Sequence, residues 1–101
     1  MDYVAQFLDI LNTHASKSVS GMAYEFTAMK GKKFTRIVSE YVYTDGQRGG
    51  RSSHAFIDHA TGEIYKCAGW KAPAKGVRFT LPADAEKLKT VVDPFTSYLY
   101  K

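Results

Sequence analysis

The sequence predicts an α+β fold: a four-stranded antiparallel meander flanked by an N-terminal helix and one or two C-terminal helices. Two observations carry this. The apolar period is helical before about residue 13, changes to two from Met22, and becomes helical again after Leu81. The four runs of period two are separated by Gly-containing connections, and neighbouring runs joined this way pair antiparallel.

Tyr3, Val4, Phe7, Leu8 and Leu11 form one stripe of a first helix, from about Asp2 to Thr13, with Asp2 at the positive end of its dipole. "SKSVSG" (Ser16 to Gly21) has no period and reads as a loop. "AYEFTAM" then sets Tyr24, Phe26 and Ala28 against Glu25 and Thr27, and "KGKK" supplies a turn. "FTRIVSEYVY" follows as a second strand, with Thr35, Ile37, Ser39, Tyr41 and Tyr43 on one side. "TDGQRGGRSS" (Thr44 to Ser53) holds three Gly and no apolar residue, which predicts a long mobile connection.

"HAFID" and "EIYKC" are the third and fourth strands, joined by "HATG" with Gly62 in the left-handed position. "LPADAEKLKTVV" places Pro82 in a first helical turn and Ala85, Leu88, Val91 and Val92 on one face. Asp93 and Pro94 open a short terminal helix whose Phe95, Tyr98 and Leu99 point inward. The helices cover one face of the sheet and leave the other to solvent.

At 101 residues the chain forms one domain, residues 1–101. It is 45% hydrophobic and holds 14 aromatic residues, enough to fold without a metal or disulfides. Cys67 is the single cysteine, which excludes an intramolecular bridge and a Cys-rich zinc site. No cofactor is expected. With no apolar leader and no apolar run of about 18 residues, the expectation is a cytoplasmic protein with no membrane partner.

The formal net charge is +4, but residues 30–78 hold ten basic residues against four acids. A basic middle suits a polyanionic partner. Within it, "GEIYKCAGWKAPAKGVRFTL" (Gly62 to Leu81) joins the only Trp to four cations. Trp70 can stack on a base while Lys66, Lys71, Lys75 and Arg78 meet phosphate. Arg36, Arg48 and Arg51 extend the patch if the long connection folds over it, and Tyr41, Tyr43, Phe56 and Tyr65 are further stacking surfaces on the open face. The competing structural reading makes Trp70 a plug for the end of the core, with its lysines solvated.

Other chemistry is thinly represented. On a strand, His54, Phe56 and Asp58 share a face, but His54 and Asp58 stand about 13 Å apart and cannot pair directly. An ordinary hydrogen bond beside the sheet is the expected role of His54, and a small hydrophobe that of Cys67. "GQRGG" lacks the Lys-Ser/Thr ending of a phosphate loop, and His14, His54 and His59 have no metal-ligand spacing.

"FID" (Phe56 to Asp58), "TGEIYK" (Thr61 to Lys66) and "WKAPAKGVR" (Trp70 to Arg78) resemble a motif of small bacteriophage proteins, in which a hairpin is followed by Trp-Lys-x-Pro-Ala-Lys and another basic residue. The resemblance covers about a quarter of the chain. It implies viral origin and a bacterial cytoplasm, and it assigns no catalytic role. The first expectation is therefore a small basic non-catalytic protein that engages nucleic acid, a nucleotide or another phosphorylated ligand through the Trp70 loop. The alternatives are a protein-protein inhibitor of a host enzyme or defence complex, and a small nuclease using His54 or His59. An edge strand also offers a route to homodimers.

Overall fold

Asp2 starts the first helix as the sequence requires: its Oδ1 accepts from Ala5 N at 3.0 Å, and its carbonyl accepts from Gln6 N. The computed structural model describes residues 2–14, 23–43, 45–69, 72–92 and 97–99. They form α1 (Tyr3–His14), β1 (Ala23–Lys30), β2 (Phe34–Val42), β3 (Arg48–Asp58), β4 (Glu63–Cys67), β5 (Pro73–Thr80), α2 (Ala85–Val91) and a single 3₁₀ turn (Ser97–Leu99). The sheet is an antiparallel meander in the order β1-β2-β3-β4-β5.

α1 packs on β1 and α2. Its Phe7, Ile10 and Leu11 meet Phe26, Ile37, Ile57, Ile64 and Phe79 from the sheet, with Leu88, Tyr98 and Leu99 closing the core. Burying each such side chain contributes on the order of 1.5–3 kcal/mol relative to exposure. The inward face of the terminal turn is as expected for Tyr98 and Leu99, while Phe95 lies outside the described residues. Among the described residues no helix is long and apolar enough to cross a membrane.

The first difference from expectation is a fifth strand. Pro73–Thr80, expected to be part of a ligand loop, pairs with β4. Its alternation is hidden because β5 advances four residues, from Val77 to Pro73, while β4 advances only two, from Tyr65 to Cys67. Such extra residues break the period-two signal. Pro73 is tolerated because it begins an edge strand, where a missing N–H costs no ladder bond.

The second difference is that Thr44 to Ser53 is no long connection. Tyr43 N donates to Gln47 O (2.8 Å), Gly46 N donates to Tyr43 O (2.9 Å), and Gln47 N donates to Asp45 Oδ1 (3.0 Å). β3 has begun by Arg48. Asp-Gly is a strong hairpin signal, and the glycines after it are strand residues. At Gly49 a Cβ would come within 2.9 Å of the Tyr43 ring, so this glycine admits the aromatic side chain across the hairpin.

The third difference is at His54. Ile37 pairs with Ala55 and Val38 with Ser53, which leaves His54 as the extra residue of a β-bulge. Its ring turns to the helix side, against Phe26 (4.9 Å between centroids) and Tyr98, whereas Phe56 faces the other way, beside Arg36. His54 and Phe56 therefore do not share a face.

A candidate binding face on the open side of the sheet

Side chains alternate across a sheet, so the residues that turn away from the helices form a second surface. One row of cross-strand neighbours crosses all five strands: Met29, Arg36, Phe56, Tyr65 and Val77. Phe34 stands beside it, edge-on to Phe56 (6.5 Å) and to Tyr65 (5.3 Å). Phe56 is 4% exposed, while Met29 and Val77, at the ends of the row, are 42% and 43% exposed. The aromatic centre is thus sealed by its neighbours and the rim is open.

The cations are arranged around this centre. Lys33 Nζ lies 5.3 Å from the Phe34 centroid and the Arg36 guanidinium 5.8 Å from that of Phe56. Arg36 Nη1 and Arg51 Nη2 both reach Met29 Sδ, at 3.6 and 3.7 Å. The β1–β2 turn, closed by Gly31 N donating to Phe34 O, brings Lys30, Lys32 and Lys33 to one end of the face. Together these residues and Pro73 line a groove of about 330 Å³. Among the described residues no carboxylate lines it, and none of the three lysines has a carboxylate within ion-pair distance.

Ser53 and Cys67 share a hydrogen bond of 3.0 Å. Burial pushes the Cys67 thiol upward, against smaller opposing effects from the Ser53 bond and the nearby Arg36 charge. Cys67 is half-buried and protonated at neutral pH, the inert state of a structural thiol. Burial, reinforced by the Glu63 and Asp58 carboxylates, likewise raises the Tyr65 phenol.

Of the sequence-predicted site residues, Arg36 lines the groove, and Pro73 brings β5 to its edge. Arg51 is exposed on β3, tied to Glu40 at 4.0 Å as well as to Met29. Arg48 opens β3 and is no part of a closing loop. Lys75 is exposed on β5, and Arg78 is half-buried on the same strand. Lys66, between Tyr65 and Cys67, belongs by alternation to the helix-bearing face. Trp70 and Lys71 lie outside the described residues. The described residues on either side of them are joined by Ala68 N and Gly69 N donating to Ala72 O (3.0 and 3.3 Å).

Tyr41 is not a surface for stacking: it packs at 4.9 Å against Tyr24 beside the core. Asp58 builds the β3–β4 turn, its Oδ1 accepting from Ala60 N and Thr61 N and its carbonyl from Thr61 N and Gly62 N. Gly62 takes the positive φ (+81°) expected of it. His54 is 1% exposed, with Nε2 and the Tyr98 hydroxyl 2.5 Å apart, the ordinary hydrogen bond expected. The residues that sequence reasoning missed are Lys30, Lys32, Lys33 and Phe34. Their signal is "KGKKF", three lysines folded back by a glycine in front of an aromatic residue.

Compared with known proteins, residues 2–101 match the model of a family of unknown function (DUF7717). No curated protein and no solved structure matches the chain.

Proposed function

This chain belongs to the DUF7717 family, and we propose that it is a basic binding protein whose open sheet face engages single-stranded nucleic acid or a comparable phosphorylated ligand. The observation that carries the proposal is the groove that Lys30, Lys32, Lys33 and Arg36 line together with Phe34 and Phe56, with no carboxylate among its described lining residues. Cations attract and position phosphate, and aromatic faces accept bases of any sequence. In this reading the segment before Pro73, which stands at the groove edge, contributes Trp70 for stacking and Lys71 for phosphate. Lys75, Arg51 and Arg48 add long-range attraction. The motif resemblance adds a bacteriophage origin and a bacterial cytoplasm as the place of action.

A second reading, a modulator of a host protein, is supported by Met29 and Val77, large apolar side chains open at both ends of the same row. A histidine-dependent nuclease would have to rely on His59, because His54 is enclosed in the core.

The test is fluorescence anisotropy of a labelled random single-stranded oligonucleotide. Neutralisation of three or four phosphates predicts an affinity loss of about 20- to 50-fold between about 50 and about 200 mM salt. Lys32→Glu with Lys33→Glu should reduce binding at least about tenfold, and Lys32→Glu alone should weaken it with an unchanged melting temperature. Binding insensitive to both salt and charge reversal would discard the nucleic-acid reading and favour the apolar protein interface.

A further inference from the structure

On the opposite side of the β1–β2 hairpin, a second cleft of about 420 Å³ lies between the start of α1, the end of β1, the start of β2 and the turn after β3. Asp2, Val4, Ala28, Lys30, Thr35 and His59 line it. Thr35 Oγ1 is the informative atom. The residue is 1% exposed, yet its hydroxyl has no hydrogen-bond partner among the described residues. A buried hydroxyl without a partner is unfavourable, and one that lines a cleft is placed to serve a ligand.

The charges narrow the ligand class. Asp2 and Lys30 share the cleft but, among the described residues, are not within ion-pair distance of each other. Asp2 spends one oxygen on the Ala5 N–H, so its second can face a cation. His59 Nε2 donates to Gly31 O at 3.2 Å, which holds the ring at the wall of the cleft. An isolated anion would meet the Asp2 carboxylate, and an isolated cation would meet Lys30. A molecule carrying both charges satisfies both walls.

We infer that this cleft, which meets the basic groove only at Lys30, is a second binding site for a small zwitterion of the α-amino acid type. Its ammonium group lies toward Asp2, and its carboxylate toward Lys30 and the Thr35 hydroxyl. Val4 and Ala28 give an apolar wall for the remainder of the molecule.

The experiment is ¹H–¹⁵N NMR titration of the full chain with L-alanine, L-leucine, L-lysine and L-glutamate in turn, with acetate and ethylammonium as single-charge controls. Saturable shifts at the amides of Ala28, Lys30, Thr35 and His59 are expected with at least one amino acid, with dissociation constants of about 1 mM or below. Each single-charge control should bind at least about tenfold more weakly, having lost one of the two charged contacts. Thr35→Val, which keeps the side-chain shape, and Asp2→Asn, which keeps a helix cap, should each weaken binding about tenfold or more. If Thr35→Val fails to fold, Asp2→Asn alone decides. No saturable shift up to about 20 mM, well past the millimolar range, overturns the inference. So does equal binding by the variants or by the single-charge controls. Oligonucleotide binding at the other face is measured separately by anisotropy, so failure here leaves that reading standing.

Discussion

Asn12 offers the sharpest test of how the fold is held. Its side chain, on α1, makes a pair of bonds to one residue of the edge strand β1: Nδ2 donates to Phe26 O (3.1 Å), and Phe26 N donates to Oδ1 (3.0 Å). The amide thereby occupies the place that one residue of a sixth strand would take. Phe26 is a core residue, so Asn12 fixes both the helix position and the outer edge of the sheet. In Asn12→Ala two bonds are lost at a net of about 0.5–1.5 kcal/mol each, hence about 2 kcal/mol in total. No cavity term is added, because Asn12 is exposed and truncation empties no core volume. For a domain of this size the melting temperature should fall by about 8–16 °C. Urea unfolding gives the free energy directly, and sedimentation at rising concentration reports whether the uncovered edge recruits a second chain. Asn12→Asp is the companion variant: it keeps an acceptor for Phe26 N but sets a carboxylate against the Phe26 carbonyl, so it should cost at least as much as the alanine. A loss below about 0.5 kcal/mol for the alanine variant, with unchanged association, would show that Asn12 behaves as an ordinary surface residue and refute the reasoning.

Three further outcomes follow from the same structure. Tyr98→Phe removes the partner of a buried His54 nitrogen and should cost about 1–3 kcal/mol in urea unfolding; an unchanged midpoint would mean that the bond contributes nothing net. Burial raises the Tyr65 and Tyr24 phenols above their ordinary value of 10.0, so the unfolded chain ionises first. That stability is fully present below pH 10.0 and declines as pH rises through the folded values; Tyr65→Phe should flatten the alkaline decline, and a slope equal to wild type would contradict the assignment. Cys67 should react with iodoacetamide at pH 7–8 more slowly in the folded chain than in urea. Arg36→Gln should slow it further by removing a charge that favours the thiolate, and faster alkylation in that variant would place the two groups apart.

α1 and the strands β1, β2 and β4 are legible in the sequence because their side-chain periods show, and β3 is legible only in its second half, after the bulge at His54. The stripe of α1 and the alternation of β1 and β2 depend on local spacing alone, and the expected Gly62 turn depends on local backbone preference. Legibility fails where pairing inserts residues. The bulge at His54 turns a side chain to the other face, and the extra residues of β5 make "PAKGVRFT" look like a loop. Both are properties of the partner strand as much as of the strand itself, so no window of one segment contains them. The candidate site was half visible for the same reason. Its charge was evident in the composition of residues 30–78, but the choice of KGKKF as its centre depends on Phe34 meeting Phe56 and Tyr65 across three strands.

That convergence also explains why the open face can be both a stabilising surface and a binding surface. Phe56 is buried without a covering helix among the described residues, and Arg36, Phe34 and Tyr65 seal it from the sides. Long cationic side chains lay their stems on apolar surface while the charge stays in water. Arg36 therefore serves the fold through its stem and a ligand through its guanidinium, and truncating it would remove both. Lys32 is different: it is exposed in the turn and has no ring or carboxylate partner among the described residues. Its contribution is charge alone, which is why reversal there can change binding while leaving the fold intact. A face built this way divides its labour by distance from the aromatic centre, with packing inside and electrostatic attraction at the rim.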